Sequence, residues 1–308
     1  MAELSAAPWA AFLRRLVGTF KPPAPNVAPP KSVPAPAKPP EDAAPAQPPA
    51  ESAPAQPAGV KPAKPSPREL QEQLIAHGLL DPPADGVLGP LSTWAMSQPK
   101  PAPLALGGDL AGRIVRAMAG RGHFIARHPG CLNIVYVEGI DPDGTRNDNA
   151  PNRFNDLRCL VRVVDGVPVL AGAWEATTEP SRRWTLAPMN PKGAARIAFG
   201  QYKAWALGTH HGHEALVQVA DVAVFRDANK DYKREGDARD VGLFGINQHW
   251  GYDLPRNDLA NSSAGCLVGR TTAGHRDFMR LVKSDKRFVV SNGAYRFLTT
   301  ILPASALP

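Results

Sequence analysis

Cysteine is scarce in this 308-residue chain: Cys131, Cys159 and Cys266 are the full set, an odd number that leaves at least one thiol unpaired. That fits a cytosol-made protein with one working thiol better than a disulfide framework. Zinc-finger spacing, an RNA-binding aromatic signature and long Lys/Arg runs are also missing. The net charge of +7 and pI near 9.4 are therefore not read as a nucleic-acid footprint. Excess basic charge suits an anionic membrane or the anionic polymers of a cell wall equally well.

The amino terminus lacks a basic start followed by an uninterrupted apolar run and a small-residue cleavage site, so a secretory signal is not expected. Residues 1–20 are too few to span a bilayer. Trp9, Phe12, Leu13, Leu16, Val17 and Phe20 recur there at roughly helical spacing around Arg14-Arg15. The segment reads either as an amphipathic helix docking on a membrane surface or a partner, or as a frayed end. Large apolar residues are almost absent from residues 21–67, which hold 17 of the 34 prolines. Such a stretch cannot bury enough surface to offset its ordering entropy and is expected to be an extended, disordered tether.

What is present is concentrated further on. Gly245-Ile246-Asn247-Gln248-His249-Trp250-Gly251 is followed by Asn261-Ser262-Ser263-Ala264-Gly265-Cys266-Leu267-Val268-Gly269-Arg270, which sets a histidine 17 positions before a cysteine in a Ser-x-Gly-Cys turn. A thiol is a poor nucleophile until ionised. A cysteine enzyme needs an imidazole within hydrogen-bond reach and backbone N–H groups aimed at the oxyanion formed on attack. Gly265 lets the backbone approach a substrate closely. The alternative is that Cys266 is an ordinary buried small residue in a decayed site.

These residues resemble the catalytic motif of the L,D-transpeptidase (YkuD-type) enzymes of peptidoglycan, with one departure: Ala264 stands where the family has its second histidine. If Cys266 is a nucleophile, His249 or a histidine from elsewhere must ionise it. The resemblance implies Cys266 as nucleophile, His249 as base or orienter, Gly265 and Cys266 N–H groups as oxyanion donors and Ser263 as a holder of the imidazole. Asn247, Trp250 and His213 are candidate substrate contacts, with His213 also able to replace the missing base. Arg270 is a candidate for a stem-peptide carboxylate, because arginine binds carboxylates bidentately. The order of parts from Val167 to Val282 is similar too, with Trp174 to Glu179 and Pro188 to Ile197 standing for the family's strand, turn and strand.

A second resemblance lies in residues 68–100. Leu70, Leu74 and Ile75 form one face of a short helix, His77-Gly78 ends it, and Thr93-Trp94-Ala95-Met96 begins another. Between them runs Asp85-Gly86-Val87-Leu88-Gly89-Pro90, rich in turn dipeptides. The pattern is similar to the all-α peptidoglycan-binding module found beside cell-wall lytic enzymes. A plain structural hairpin would read the same way.

Residues 103–308 are long enough for one large core. Leu110, Ile114, Val115 and Met118 predict a helix over Asp109–Arg121. Strands are predicted over Asn133–Glu138, Leu160–Val164, Val167–Thr178, Ala215–Arg226 and Phe244–Trp250, a helix over Thr272–Lys283, and a last strand over Phe288–Val290. The fold class expected is α+β: a β-rich, transpeptidase-like catalytic domain beside a small all-α module and a disordered linker.

Other constellations carry less. Asp227-x-Asn229-x-Asp231 has alternating oxygens, but Tyr232 and Ala238 stand where an EF-hand needs glycine and a bidentate acid. His210-His211-Gly212-His213-Glu214 has no metal-ligand spacing. Glu175 and Glu179 are the carboxylate pair a muramidase would need, but in an extended strand they lie about 13 Å apart, beyond the glycosidase range. No cofactor is expected. The sequence leads to a peptidoglycan-directed cysteine enzyme acting at the bacterial wall or periplasm, a peptidase or transpeptidase in the manner of a phage lysin. A glycan-cleaving hydrolase and a non-catalytic wall-binding protein are the alternatives, and the oligomeric state is left open.

Overall fold

In β1 (Asn133–Glu138) every residue is buried, and the period-2 alternation of a strand divides it between two cores. Ile134 and Tyr136 face one cluster with Leu160, Trp205, Leu216, Leu267 and Phe278. Val135 and Val137 face another, under helix α3 (Leu110–Gly120), with Ile114, Val115 and Met118. A strand covered on both faces belongs to a closed or sandwiched sheet. In this computed structural model, which describes residues 64–308, the sheet is a closed eight-stranded barrel. The predicted terminal helix (1–20) and nearly all of the predicted tether (21–67) lie outside the described residues.

Around the barrel, β1 is followed by β11 (Phe297–Pro303), β5 (Gly200–His210), β6 (His213–Gln218), β9 (Gln248–Trp250), β10 (Leu267–Gly269), β3 (Val167–Thr177) and β2 (Asp156–Val164). Two neighbouring pairs, β1–β11 and β9–β10, are parallel, and the other pairings are antiparallel. A second sheet, β4 (Ala194–Ile197), β7 (Val222–Asp227) and β8 (Ala238–Gly242), is antiparallel. The mixed fold with a β-rich domain matches the α+β expectation at that level.

Several boundaries differ from those predicted. The run Ala215–Arg226 is two strands, broken at 219–221, and of Phe244–Trp250 only Gln248–Trp250 is strand. Phe288–Val290 is not a strand. Asp285 caps helix α6 (Lys286–Val290) by accepting the Arg287 N–H at 2.8 Å, and the left-handed pair Asn292-Gly293 ends that segment before the true last strand, β11. Helix α5 (Thr272–Lys283) has the predicted bounds, with Thr271 as its cap.

The two amino-terminal helices exist, α1 (Pro67–Ala76) and α2 (Pro90–Met96), but not as a separate all-α module: the described residues form one compact unit with the barrel. α1 opens on a capping box between Ser66 and Glu69. Buried Gln71 organises the loop that follows. Its Nε2 donates to Asp85 Oδ1 (2.7 Å), Val87 O (2.9 Å) and Ser92 Oγ (3.1 Å), and its Oε1 accepts the Gly86 N–H (2.7 Å). The two amide hydrogens are shared among three acceptors, so one side chain ties the Asp85-Gly86 turn to Ser92 of α2.

The hairpin is tied to the barrel by a buried ion network. Asp81 accepts from Arg287 Nη1 at 2.6 Å and from the Tyr295 hydroxyl, with Lys203 Nζ 3.7 Å away. Arg287 is also bound to Asp285 and to the Leu132 carbonyl. Burial would raise the Asp81 carboxyl, but Arg287 and Lys203 outweigh it and hold it below its ordinary range. A second buried group joins barrel to small sheet: Glu138 with Arg234, and Glu179 with Arg196. Burial pushes Glu179 up to about 8, and burial with the Glu138 charge beside it lifts Asp156 to about 7.

Removing one partner from a buried ion pair strands the other in a dry environment, at a cost of about 3–5 kcal/mol. Asp81→Ala is expected to lose stability of that order in denaturant unfolding. A loss below about 1 kcal/mol would show that the network does not hold the helices to the barrel.

Candidate functional site

The site is built where the parallel pair β9–β10 closes the barrel. Leu267 pairs with Gln248, Val268 with His249 and Gly269 with Trp250. The residues just before each strand, Asn247 and Cys266, are thereby brought together: the Asn247 N–H donates to Cys266 Sγ at 3.4 Å, and Leu267 N–H to Asn247 O at 2.9 Å. The half-buried Cys266 thiol itself donates to Gly245 O at 3.4 Å.

The Ser263-Ala264-Gly265 turn that delivers the thiol is tightly held. Gly265 has φ +127, and a Cβ there would lie 2.6 Å from the Ala195 carbonyl oxygen, so only glycine fits. Ser263 Oγ accepts the Gly265 N–H at 3.1 Å and donates to Cys266 O at 3.0 Å, while Ser263 O accepts the Ser181 N–H at 2.8 Å. This corrects two sequence expectations. Ser263 braces the turn rather than an imidazole, and the Gly265 N–H is already used and is not an oxyanion donor. Among the described residues the Cys266 N–H has no protein acceptor and is left available.

His249, 5 % exposed, donates Nδ1–H to Trp250 O at 2.7 Å. A carbonyl can only accept, so the proton is on Nδ1 and Nε2 presents its lone pair. That Nε2 is buried and has no hydrogen-bond partner. The second imidazole is His210, at the end of β5, its ring centroid 4.5 Å from that of His249. Among the described residues, one ring nitrogen from each histidine and Cys266 Sγ lie within 4.8 Å of one another.

His210 was not singled out in the sequence. His213, the residue expected to reach the cysteine, is exposed and packs on Trp250 with centroids 4.4 Å apart, while His210 from the same run lies near Cys266. The two histidines are opposite each other across the β5–β6 hairpin, whose turn is His211-Gly212, both in left-handed conformations. The alternating β5 strand leading into a His-Gly turn was the available signal. Asn247, expected to touch substrate, is an orienter. Its Oδ1 accepts the Gln218 N–H (2.9 Å), which fixes the amide, and its Nδ2 donates to His210 Nδ1 (3.0 Å). Trp250 walls the site between His213, His275 and Tyr252.

Arg270 behaves as a carboxylate binder, but the carboxylate is internal: Glu175, which is also 3.4 Å from Arg256 Nε. It is therefore not free for a stem carboxylate. Asp227, fully buried, accepts the N–H groups of Asp231 and Tyr232, both at 3.1 Å. Asn229 Nδ2 donates to Asp231 Oδ2 at 3.0 Å. These oxygens serve the loop's own turn.

All three groups of the site are driven toward their neutral forms. Burial pushes the Cys266 thiol up to about 11, against the Asn247 N–H, which favours the thiolate. Burial, with His210 nearby, holds His249 down to about 3, and burial with His211 holds His210 to about 4. The donor set could suit a borderline metal such as zinc. However, tetrahedral coordination brings such atoms to about 3.3–3.7 Å of each other, and the Asn247 amide pins His210 in the tautomer whose Nε2 bears hydrogen. The arrangement fits thiol and imidazole chemistry better.

No protein-family model, curated protein or solved structure matches the chain.

With a thiol pushed to about 11, the thiolate fraction rises about tenfold per pH unit below that value. Alkylation of Cys266 by iodoacetamide, read by peptide mass spectrometry, is expected to accelerate log-linearly from pH 7 to 10. A plateau beginning near neutrality would show a preformed thiolate–imidazolium pair instead.

Proposed function

We propose that this protein is a peptidoglycan-directed cysteine enzyme that transfers acyl groups of the stem peptide through a Cys266 thioester. The observation that carries the chemistry is the unpartnered, buried Nε2 lone pair of His249, on a ring fixed by the Trp250 carbonyl and having a nitrogen within 4.8 Å of the Cys266 sulfur. The direction toward peptidoglycan rests on the resemblance of the Ser263–Cys266 turn to the L,D-transpeptidase motif and of residues 68–100 to a wall-binding hairpin. The site of action that follows is the bacterial cell wall.

The resting forms set the order of events. Because burial disfavours an ion pair, the thiol proton leaves Gly245 O and passes to His249 Nε2 as Sγ attacks the stem carbonyl carbon. The oxyanion is met by the Cys266 N–H. Collapse breaks the C–N bond, and the departing amine takes the proton back from the imidazolium. Water or a second amine then attacks the thioester, with His249 again accepting the proton, and the thiol is restored.

Arg182 and Arg183 of α4 (Arg182–Leu186), with Asn152, Asn257, Asn261 and one acid, Asp258, line a groove beside the turn, since Ser181 is bonded to Ser263 and Arg183 to Asn261. Its basic wall suits the carboxylates of stem peptides. The glycosidase reading loses its carboxylates: Glu175 is paired with Arg270, and Glu179 is buried against Arg196.

Mass spectrometry of purified peptidoglycan incubated with the protein is expected to show stem-peptide cleavage or exchange, absent with Cys266→Ala and slowed about 10²- to 10⁴-fold with His249→Ala. New reducing ends that persist in Cys266→Ala would replace this reading with glycan hydrolysis. No product from either protein would leave a binding protein.

A further inference from the structure

The two imidazoles of the site are locked in opposite tautomers, and opposite tautomers do opposite work. His249 gives its Nδ1–H to the Trp250 carbonyl, so Nε2 can only accept. For His210 the reasoning runs through Asn247. The Gln218 backbone N–H occupies Asn247 Oδ1, so the amide cannot be turned over, and Nδ2 must donate to His210 Nδ1. In a neutral imidazole whose Nδ1 accepts, Nε2 carries the hydrogen. His210 is thus a donor and not a base.

We infer that His210 is a neutral hydrogen-bond donor to the Cys266 sulfur, stabilising the thiolate first as nucleophile and later as leaving group, while His249 alone carries the proton. The assignment rests on the reading of Cys266 as a nucleophile. It also answers two deficits of the site. Ala264 supplies no imidazole next to the cysteine, and the Gly265 N–H, held by Ser263 Oγ, supplies no donor. His210 arrives from a different strand, β5, with a ring nitrogen within 4.8 Å of Sγ. The donor role needs the ring to bring its Nε2–H within hydrogen-bond reach of the sulfur as the charge forms. A charge-assisted bond of this kind is strong because the donor is fixed before the charge forms.

The tautomer makes the proposal separable from a structural or general-base role. Glutamine reproduces this form of the ring: its Oε1 can accept from Asn247 and its Nε2–H₂ can donate to sulfur, whereas no glutamine can act as a base. The experiment is alkylation of Cys266 by iodoacetamide as a function of pH on the full chain, in wild type, His210→Ala, His210→Gln and His249→Gln. His210→Ala is expected to slow alkylation about tenfold at pH 8 and to shift the profile upward by about one unit, the worth of one hydrogen bond to a charged group. His210→Gln is expected to recover most of that loss. His249→Gln, assayed for peptidoglycan turnover, is expected to recover nothing.

An unchanged profile in His210→Ala, or a His210→Gln variant as slow as the alanine, would overturn the assignment. So would a cobalt(II) titration giving a thiolate-to-metal absorption band that His210→Ala abolishes, since that would make His210 a metal ligand. Alkylation needs no peptidoglycan. The predicted pattern together with no action on the wall would therefore refute the proposed substrate and leave the donor role standing.

Discussion

Three residues of parallel pairing hold this molecule's site together. Leu267, Val268 and Gly269 lie against Gln248, His249 and Trp250, and this pair closes the barrel between β6 and β3. Parallel register is what matters, because it sets the residues before the two strands side by side instead of at opposite ends. So short a ladder is stable only with support. Gln248 provides some of it inside the barrel, where its Nε2 donates to Thr299 Oγ1 at 2.9 Å and its Oε1 accepts from the Tyr136 hydroxyl at 3.4 Å. The loop of 251–265 can then carry the thiol turn back to the rim without altering the register below it.

Dryness is the second constraint. His210, His249 and Cys266 are each shifted toward the uncharged form by burial, so the site stores no thiolate at rest. Hydrogen-bond direction substitutes for charge. Trp250 O can only accept and Asn247 Nδ2 can only donate, so each sets the tautomer of the histidine it holds, while the Ser263 hydroxyl accepts from Gly265 and donates to Cys266 to brace the turn. Such an arrangement is pre-organised for the charge that appears during reaction, which costs less than rearranging solvent around it.

How much of this could be read from residues alone follows the range of the interactions. Helices α3 and α5 were legible because their caps and apolar spacing are local. Cys266, His249 and Gly265 were legible because a turn and its spacing are local too. His210 was not, since its place depends on the β5–β6 hairpin register and on Asn247, 37 residues away in sequence. For Arg270 the chemistry was read correctly and the partner was not: the carboxylate it was expected to find in a substrate belongs to Glu175 of the same chain. Strand β11 was displaced in the prediction by Phe288–Val290, because an apolar run of three carries no periodicity and the Asp285 cap before it decides for helix. The all-α module failed as a separate unit through one buried contact that no local pattern reveals, Asp81 to Arg287 across 206 positions.

The three thiols divide along the same line. Cys131 and Cys159 are sealed in the interior, burial pushing the first up to about 12 and the second higher still, while Cys266 stands at the rim, and none is bridged. The scaffold therefore contains no bond that an oxidising or a reducing compartment would make or break. No disulfide holds the architecture, and of the three thiols only the one at the rim is placed to meet an oxidant. Oxidation of that thiol to a sulfenic acid or mixed disulfide would cap the reacting sulfur while leaving the barrel standing, and a thiol reductant would reverse it.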